Sequence, residues 1–508
     1  MSNKAKFFRS GLLLTATALA MKTVGMFFGA YISRTVGAEG VGLYTLVMTV
    51  YSFAVTLATS GVSLSVTRLV ASAIGEGREE DVSGILRGAM LYSLLFGSAS
   101  TLLLFFGAPL IGRFILMDER TVTAMRALSL SLIPIALGSC VSGYFVGVKR
   151  VGFNAAVSVF SQGVKIAVTV ILVSLALPHG LVATVISLCL GITLTEALAF
   201  LLIWVEFLYD KRKNVKNNSH NKDNNIKAVA QMAVPLALSL YVRSILLSIE
   251  HVLIPKRLRD RGESSSEAYT HYGALHGMAV PMVLYPMTPL SSFSGLLVPE
   301  FAEDMSGGRG ERMSRVASEA INSTLSFSAL VAVVLYLFSG ELGYLVYNSY
   351  DAGYYIALLS PVIPIMYLDH VTDSMLKGIG EQVYSMWVNI TDSVLSVVLV
   401  WFLIPRLGIT GYALVIIIME AYNFVLSFIR LRGRIAFSIT PIKSLVLPML
   451  IALLSASLSR SLFGFSGKDV SPLWLIMKIL FTVCIFVFLR GVIVLRRENS
   501  KKRKQGSM

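Results

Sequence analysis

Charge is what this chain has least of. Asp, Glu, Lys and Arg make up only 14% of its residues, and 55% are hydrophobic, whereas a soluble domain carries about 25% charged residues. A water-facing surface cannot be built from so few charges, which excludes an ordinary globular enzyme. Acids are scarcer than bases, 29 against 44, leaving a net charge of +15. Nucleic-acid binders share that balance, but they gather it on one soluble face. Here the bases stand at the ends of apolar segments, so no nucleic-acid partner is expected. Cysteine is also sparse: Cys140, Cys189 and Cys484 lie inside apolar runs with no CxxC pair, which argues against a disulfide framework or a zinc site. His251, His271, His276 and His370 lack a spacing such as HExxH. No metal, no cofactor and no catalytic residue is expected, and the chain is not read as an enzyme.

What the chain does have is long apolar runs. A helix needs about 20 largely apolar residues to cross the hydrocarbon core. On that rule fourteen spans are expected, at 10–33, 41–61, 85–107, 123–147, 152–176, 181–208, 230–254, 271–294, 316–338, 354–376, 385–404, 409–429, 441–459 and 472–495. The apolar pattern of the first runs on through Tyr31, so it is taken as a helix and not as a cleaved leader. Lys and Arg are concentrated on the side holding the N-terminus, the stretch at 210–227 and the tail RRENSKKRK, which places both termini in the cytoplasm. The cluster PKRLRDR at Pro255 is the outer loop that resists this scheme.

The stretch 210–227, DKRKNVKNNSHNKDNNIK, has no aromatic residue. It cannot bury enough apolar surface to offset ordering and reads as a solvated linker. Segments on its two sides resemble each other. Ser131-Leu-Ile-Pro-Ile135 recurs as Ser360-Pro-Val-Ile-Pro-Ile365, Pro178-His-Gly180 matches Pro405-Arg-Leu-Gly408, and Glu-Ala-x-x-Phe occurs at Glu196 and again at Glu420. Gly147-Val-Lys-Arg and Gly378-Ile-Gly-Glu follow the same order, as do the Gly-rich charged loops at Gly75–Asp81 and Glu303–Glu311. Six spans per copy is an even number, so both copies enter from the same side. The expected fold is an all-α integral membrane protein of 14 transmembrane helices. Two parallel six-helix bundles are related by a pseudo-two-fold along the membrane normal, with a cavity between the halves, and two C-terminal helices follow. The divisions are 1–208 for the N-terminal bundle, 209–229 for the cytoplasmic basic linker, 230–430 for the C-terminal bundle, and 431–508 for the accessory helices and basic tail.

Three segments carry a family resemblance: Lys22-Thr-Val-Gly25, then Ser33-Arg-Thr-Val-Gly-Ala-Glu-Gly-Val-Gly-Leu-Tyr44, then Gly61-Val-Ser-Leu-Ser-Val-Thr-Arg-Leu-Val-Ala71. Together they resemble the opening of the stage V sporulation protein B family, within the multidrug/oligosaccharidyl-lipid/polysaccharide exporter superfamily. The resemblance implies flipping of a polyprenyl-pyrophosphate-linked cell-wall precursor, similar to lipid II, across the bacterial cytoplasmic membrane by alternating access. It also implies roles in peptidoglycan or polysaccharide biosynthesis and in sporulation.

Ionisable side chains at membrane depth are costly, about 2.5–3.5 kcal/mol at mid-helix on insertion scales, and mark pathways or partners. Lys22 and Arg243 occupy mid-span positions, and Arg34 and Arg68 stand at span ends. All four are candidates for a cationic cavity that binds an anionic lipid-linked oligosaccharide, since Arg offers a planar fork to phosphate and Lys a point charge. The competing reading is snorkelling or an intramembrane ion pair. Lys165 is a weaker candidate, and Lys478 is expected to face lipid or belong to the accessory helices. Among the membrane-depth acids, Asn389-Ile-Thr-Asp392 places oxygen donors one turn apart. With Glu250 it is the candidate site for coupling to Na+, H+ or the membrane potential, and the other membrane-depth acids, Asp369, Asp373, Glu196 and Glu420, are weaker candidates. Glu196 and Glu420 are read as sharing a structural role. The expected partners are the lipid-linked passenger and membrane lipids, and the chain is expected to act as a monomer. Two alternatives stay open: a cation-coupled drug or metabolite exporter on the same fold, and a polytopic membrane glycosyltransferase, which would need activated carboxylates near an outer surface and usually a sizeable outer loop.

Overall fold

The computed structural model describes residues 3–76, 78, 80–148, 151–214, 223–463 and 472–505. Part of the expected linker, 215–222, and the pair at 149–150 lie outside the described residues. Among the described residues the chain is helical throughout, with no strand. Eleven helical stretches are long and apolar enough to cross a membrane.

The first of these, Ala20–Ile74, has 55 residues. Straight, it would run about 80 Å, far beyond a core of about 30 Å. It bends at Gly37, whose φ of 70° and ψ of 179° interrupt the helix Asn3–Thr59, a conformation essentially confined to glycine. The expected spans 10–33 and 41–61 therefore form one helix broken by a single residue. The expected spans 230–254 and 271–294 are not among the eleven, and the second of them is fragmented. It runs as Ser265–Tyr272, a wide turn at Gly273–Ala279, Val280–Leu284, a tight turn at Tyr285–Met287, and Thr288–Ser306. Pro281, Pro286 and Pro289 each remove a backbone donor there. Ser131-Leu-Ile-Pro-Ile135 and its recurrence at Ser360 also mark breaks, between Arg120–Ser129 and Leu132–Gly147 and between Tyr350–Leu359 and Ile363–Gly378.

The chain forms two compact units. One is continuous, Glu39–Thr270; the other is discontinuous, Met1–Ala38 with His271–Met508. The cut differs from the expected division at 209–229. It falls at the Gly37 bend, and the helix Asp223–Asp260 packs against Val62–Gly75 and Asp81–Leu110 in the continuous unit.

The continuous unit is centred on Val66, Val70, Leu86, Ala89, Tyr144, Phe145 and Phe207. One end of it is tied by Arg120, which bonds Asp118 at 2.8 Å and Glu39 at 3.0 Å. Gly42 lies so close to Tyr269 that a Cβ would sit 2.0 Å from the Tyr269 carbonyl oxygen. Three residues of the second motif segment are thus explained by structure: Gly37 makes a bend, Glu39 an ion pair and Gly42 a close approach.

The discontinuous unit is centred on Leu297, Phe301, Ile321, Val371, Met375 and Leu431. The segment after Ile409–Arg434 is clipped along the helix Gly310–Leu337. Ser314 donates to the Ala436 carbonyl, Asn322 donates to that of Ser438 at 3.0 Å and accepts from the Thr440 amide at 3.0 Å, and Ser326 donates to the Ser444 carbonyl at 2.9 Å. With Ser318, which accepts from the Ser438 amide at 3.0 Å, these polar residues recur every four positions and so line one face. Lys478 lies on the accessory helix Pro472–Gln505, one of its two expected readings, but does not face lipid: it is 1% exposed and donates to Glu341 at 3.3 Å. Its charge is compensated, which is what permits its burial.

Candidate functional site

The cations predicted to bind an anion divide equally. Lys22 and Arg34 belong to the discontinuous unit, Arg68 and Arg243 to the continuous one. All four are exposed within the protein. Within its own unit, none is held in an ion pair with a described carboxylate.

Lys22 stands next to Thr23, whose hydroxyl shares a 2.7 Å hydrogen bond with Tyr285. That bond joins the first helix to the proline-broken segment, and the charge of Lys22 acts on His370 across the same unit. Arg34 has a backbone partner: its Nε donates to the Val346 carbonyl at 3.1 Å, beside a 3.3 Å bond from Ser33 to the Tyr347 carbonyl. These are the last carbonyls of the helix Ser339–Tyr347, where a cation complements the helix dipole.

Arg68 lies on the short helix Val62–Gly75. Val62, Val66 and Val70 are buried at four-residue spacing, and Thr67 donates to the Gly143 carbonyl at 3.0 Å. The opposite, uncovered stripe carries Arg68. Arg243 rides on Asp223–Asp260 between Tyr241, which donates to Ser60 at 2.6 Å, and Ser244, bonded to Thr56 at 3.4 Å. Those bonds fix the helix rotation and with it the direction of Arg243. Glu250 is farther along the same helix and is buried, 8% exposed.

Asn389 and Asp392 lie in the discontinuous unit on Gln382–Leu407, and the Asn389 amide donates to the Ser385 carbonyl at 2.7 Å. Glu250 is in the other unit. Around Asp392 the structure gathers acids that the sequence offers only as weaker candidates for coupling. Asp369 on Ile363–Gly378 interacts with both Asp373 and Asp392 and bonds Ser427. Glu420 on Ile409–Arg434 interacts with Asp369 and Asp392. One oxygen of Asp369 and the side-chain oxygen of Asn423 are buried without a hydrogen-bond partner. Glu420, Asn423 and Ser427 share a helix face. The neighbouring cation, Lys377, pairs with Asp373 at 2.6 Å. Among the described residues no three His, Cys, Asp or Glu converge as a ready metal cage. The arrangement is a loose pool of negative charge with neutral oxygen donors along one side.

The continuous unit handles its corresponding acid differently. Glu196 on Leu181–Asn214 has Lys165 of the adjoining helix Val151–Ala176 as its opposite charge. The sequence offset that relates Pro178 to Pro405 carries Lys165 onto Asp392. A base in one stretch is thus replaced by an acid in the other. That substitution is the signal that would have pointed to Asp369 and Glu420.

A family profile described as "Polysaccharide biosynthesis protein" matches residues 7–305, and one described as MatE matches residues 301–402. Stage V sporulation protein B of Bacillus subtilis (strain 168) is 25% identical over 420 residues, 82% of this chain and 81% of that protein. Lipid II flippase MurJ of the same organism is 23% identical over 467 residues, 85% of this chain and 84% of that protein. A solved structure of lipid II flippase MurJ in an inward closed conformation matches with a TM-score of 0.74 at 15% identity, covering 96% of this chain and 99% of that one. An inward-facing multidrug resistance MATE transporter of the MOP superfamily matches with a TM-score of 0.68 at 17% identity, covering 83% and 98%. These likenesses establish a multi-pass membrane protein of the MOP transporter fold.

Proposed function

This chain belongs to the polysaccharide biosynthesis protein family, and we propose that it is a flippase for a lipid-linked cell-wall precursor, similar to lipid II, working by alternating access and without bond chemistry. One observation carries the proposal. Lys22, Arg34, Arg68 and Arg243 are exposed in helices of a membrane protein, and no described carboxylate within their own units holds them in an ion pair. Such charges are retained where they meet an anion, and a pyrophosphate between headgroup and tail is an anion of the right depth. The names of the relatives support the same passenger.

The topology proposed with it has fourteen spans. The eleven apolar helices become twelve when the Gly37 bend divides the first. The helix Asp223–Asp260 and the proline-broken run from Ser265 to Ser306 supply two more. Both termini are then cytoplasmic, as the basic residues require. The energy source we propose is a cation or proton taken up at the acid pool of Asp369, Asp392 and Glu420. The pool also supports the second reading, a cation-coupled exporter, because Asp369 and Asp392 fall within the stretch matched by the MatE profile.

The test is depletion of the native flippase and rescue by this chain, with precursor appearance read from outside the cell. The Lys22→Ala, Arg243→Ala double variant is expected to reach normal membrane abundance and to lose rescue. Full rescue by that variant would overturn the flippase proposal and favour the exporter.

A further inference from the structure

The basic cluster from Lys256 to Arg261, at the end of the helix Asp223–Asp260, defies the positive-inside pattern, and the continuous unit accounts for most of it. Arg257 pairs with Asp260 at 2.8 Å. Arg259 donates to the carbonyls of Leu116 and Met117 at 2.9 and 3.2 Å and lies over the Tyr269 ring. Lys256 has neither an ion pair nor a hydrogen bond with a described residue. It stands instead in the lining of a groove of about 440 Å3, walled apart from Ser248 by apolar side chains including Phe53, Phe114, Ile115, Ile245 and Ile249. The volume falls within the roughly 300–1,000 Å3 range of small-molecule sites. Phe114 is 65% exposed and Ile249 46% exposed, so these walls are not covered by the rest of the protein.

The dimensions choose the occupant. From Ile245 to Lys256 the helix rises about 16 Å, half of a hydrocarbon core of about 30 Å. The groove is therefore one leaflet deep, apolar along its length and cationic at one end. That is the complement of a phospholipid with an anionic headgroup, whose chain lies along the helix and whose phosphate meets the ammonium. A polyprenyl carrier, many times longer than a leaflet, would overrun it. We propose that this groove is a binding site for an anionic phospholipid, with Lys256 as the phosphate ligand. The site is separate from the cations proposed for the passenger. Its assignment to the outer leaflet rests on the orientation proposed above, but the binding itself does not.

Native mass spectrometry of the purified full-length chain tests the proposal. The probes are dioleoyl-phosphatidylglycerol and dioleoyl-phosphatidylcholine in equal amounts, with a polyprenyl phosphate in a separate arm. The chain is expected to retain phosphatidylglycerol about fivefold over phosphatidylcholine, the factor one lysine contributes at an anionic surface. Lys256→Gln is expected to bring the two to parity, and Ile249→Trp, which fills the groove, to reduce both. An unchanged preference in Lys256→Gln overturns the proposal, as does an Ile249→Trp effect confined to the polyprenyl phosphate arm. Lys256→Gln is a mild change at the helix end and keeps the test decisive if Ile249→Trp fails to fold. The readout needs no translocation, so it stands or falls apart from the flippase proposal. In the rescue assay Lys256→Gln is expected to behave as wild type.

Discussion

Two pairs of adjoining helices in this chain treat a membrane-depth acid in opposite ways. On Val151–Ala176 and Leu181–Asn214, Glu196 has Lys165 as the opposite charge that acts on it, with no direct ion pair between them. On Gln382–Leu407 and Ile409–Arg434, Glu420 meets Asp392, and Asp369 joins them from Ile363–Gly378. Like charges in shared space repel, and the repulsion is relieved by a proton, a bound cation or a basic neighbour. The first pair has a basic neighbour for its one acid. Around the second, several acids gather near Lys377, which already pairs with Asp373. An acid matched by its own base has little use for an ion from solution, whereas acids that outnumber the bases beside them keep an affinity for one. The difference is what supports the proposal of a scaffold role for one pair and ion exchange for the other.

Making the second pair like the first gives the largest expected effect. Asp392→Lys places a base where Lys165 stands in the earlier stretch. The variant is expected to fold and reach the membrane at normal abundance, because it relieves repulsion. Its cation- or proton-driven translocation is expected to fall on the order of 100-fold, as when a ligand of a bound ion is removed. The check is precursor flipping in vesicles with an imposed ion gradient. Unaltered gradient dependence would break the comparison, since the pool would then be structural too.

How far the sequence disclosed this contrast depends on what each signal is made of. The positions of the eleven apolar spans were legible because hydrocarbon thickness imposes length and apolarity. The broken span 271–294 was legible because proline acts locally. Lys478 was misjudged because burial of a charge depends on a partner, Glu341, that lies far away in the chain. The Gly37 bend was hidden because glycine is also common in straight membrane helices. The assignment of Asp223–Asp260 to the continuous unit was hidden as well, because packing between distant helices leaves no periodic trace. Asp369 and Glu420 were visible as acids, but which acids meet is a property of three helices at once.

The Lys165–Glu196 pair sharpens the comparison from the other side. Removing Lys165 alone leaves Glu196 without that counter-charge, so Lys165→Ala is expected to lower thermal stability in detergent. Lys165→Ala combined with Glu196→Gln is expected to recover most of the loss. Both groups are only half-buried, so a coupling toward the low end of about 0.5–3 kcal/mol is expected from the double-mutant cycle. Translocation per folded molecule should change little. Zero coupling, or a loss of gradient dependence like that of Asp392→Lys, would show that the two acid sites do not differ in kind.

The smallest expected effect comes from an acid outside the spans, Glu381, which supplies a control within the discontinuous unit. It is bonded to Arg430 at 2.8 Å and Arg434 at 2.7 Å. The Arg430 bond chiefly, with the two positive charges, holds its carboxyl below the usual glutamate range. A depressed carboxyl stabilises the fold fully above its unfolded value of about 4.3, and that contribution is lost as the pH falls through the lower folded value. The groups lie near water, where such pairs contribute little. Glu381→Gln is therefore expected to melt slightly below wild type at neutral pH, with the gap closing on acidification below about pH 4. The acid pool is expected to respond in the opposite sense, since protonation there removes repulsion and not attraction. Melting curves of wild type, Glu381→Gln and Asp392→Asn across that range separate the two. If both variants lose stability at neutral pH and converge with wild type in acid, the pool is held by bases of its own and its proposed affinity for a cation disappears.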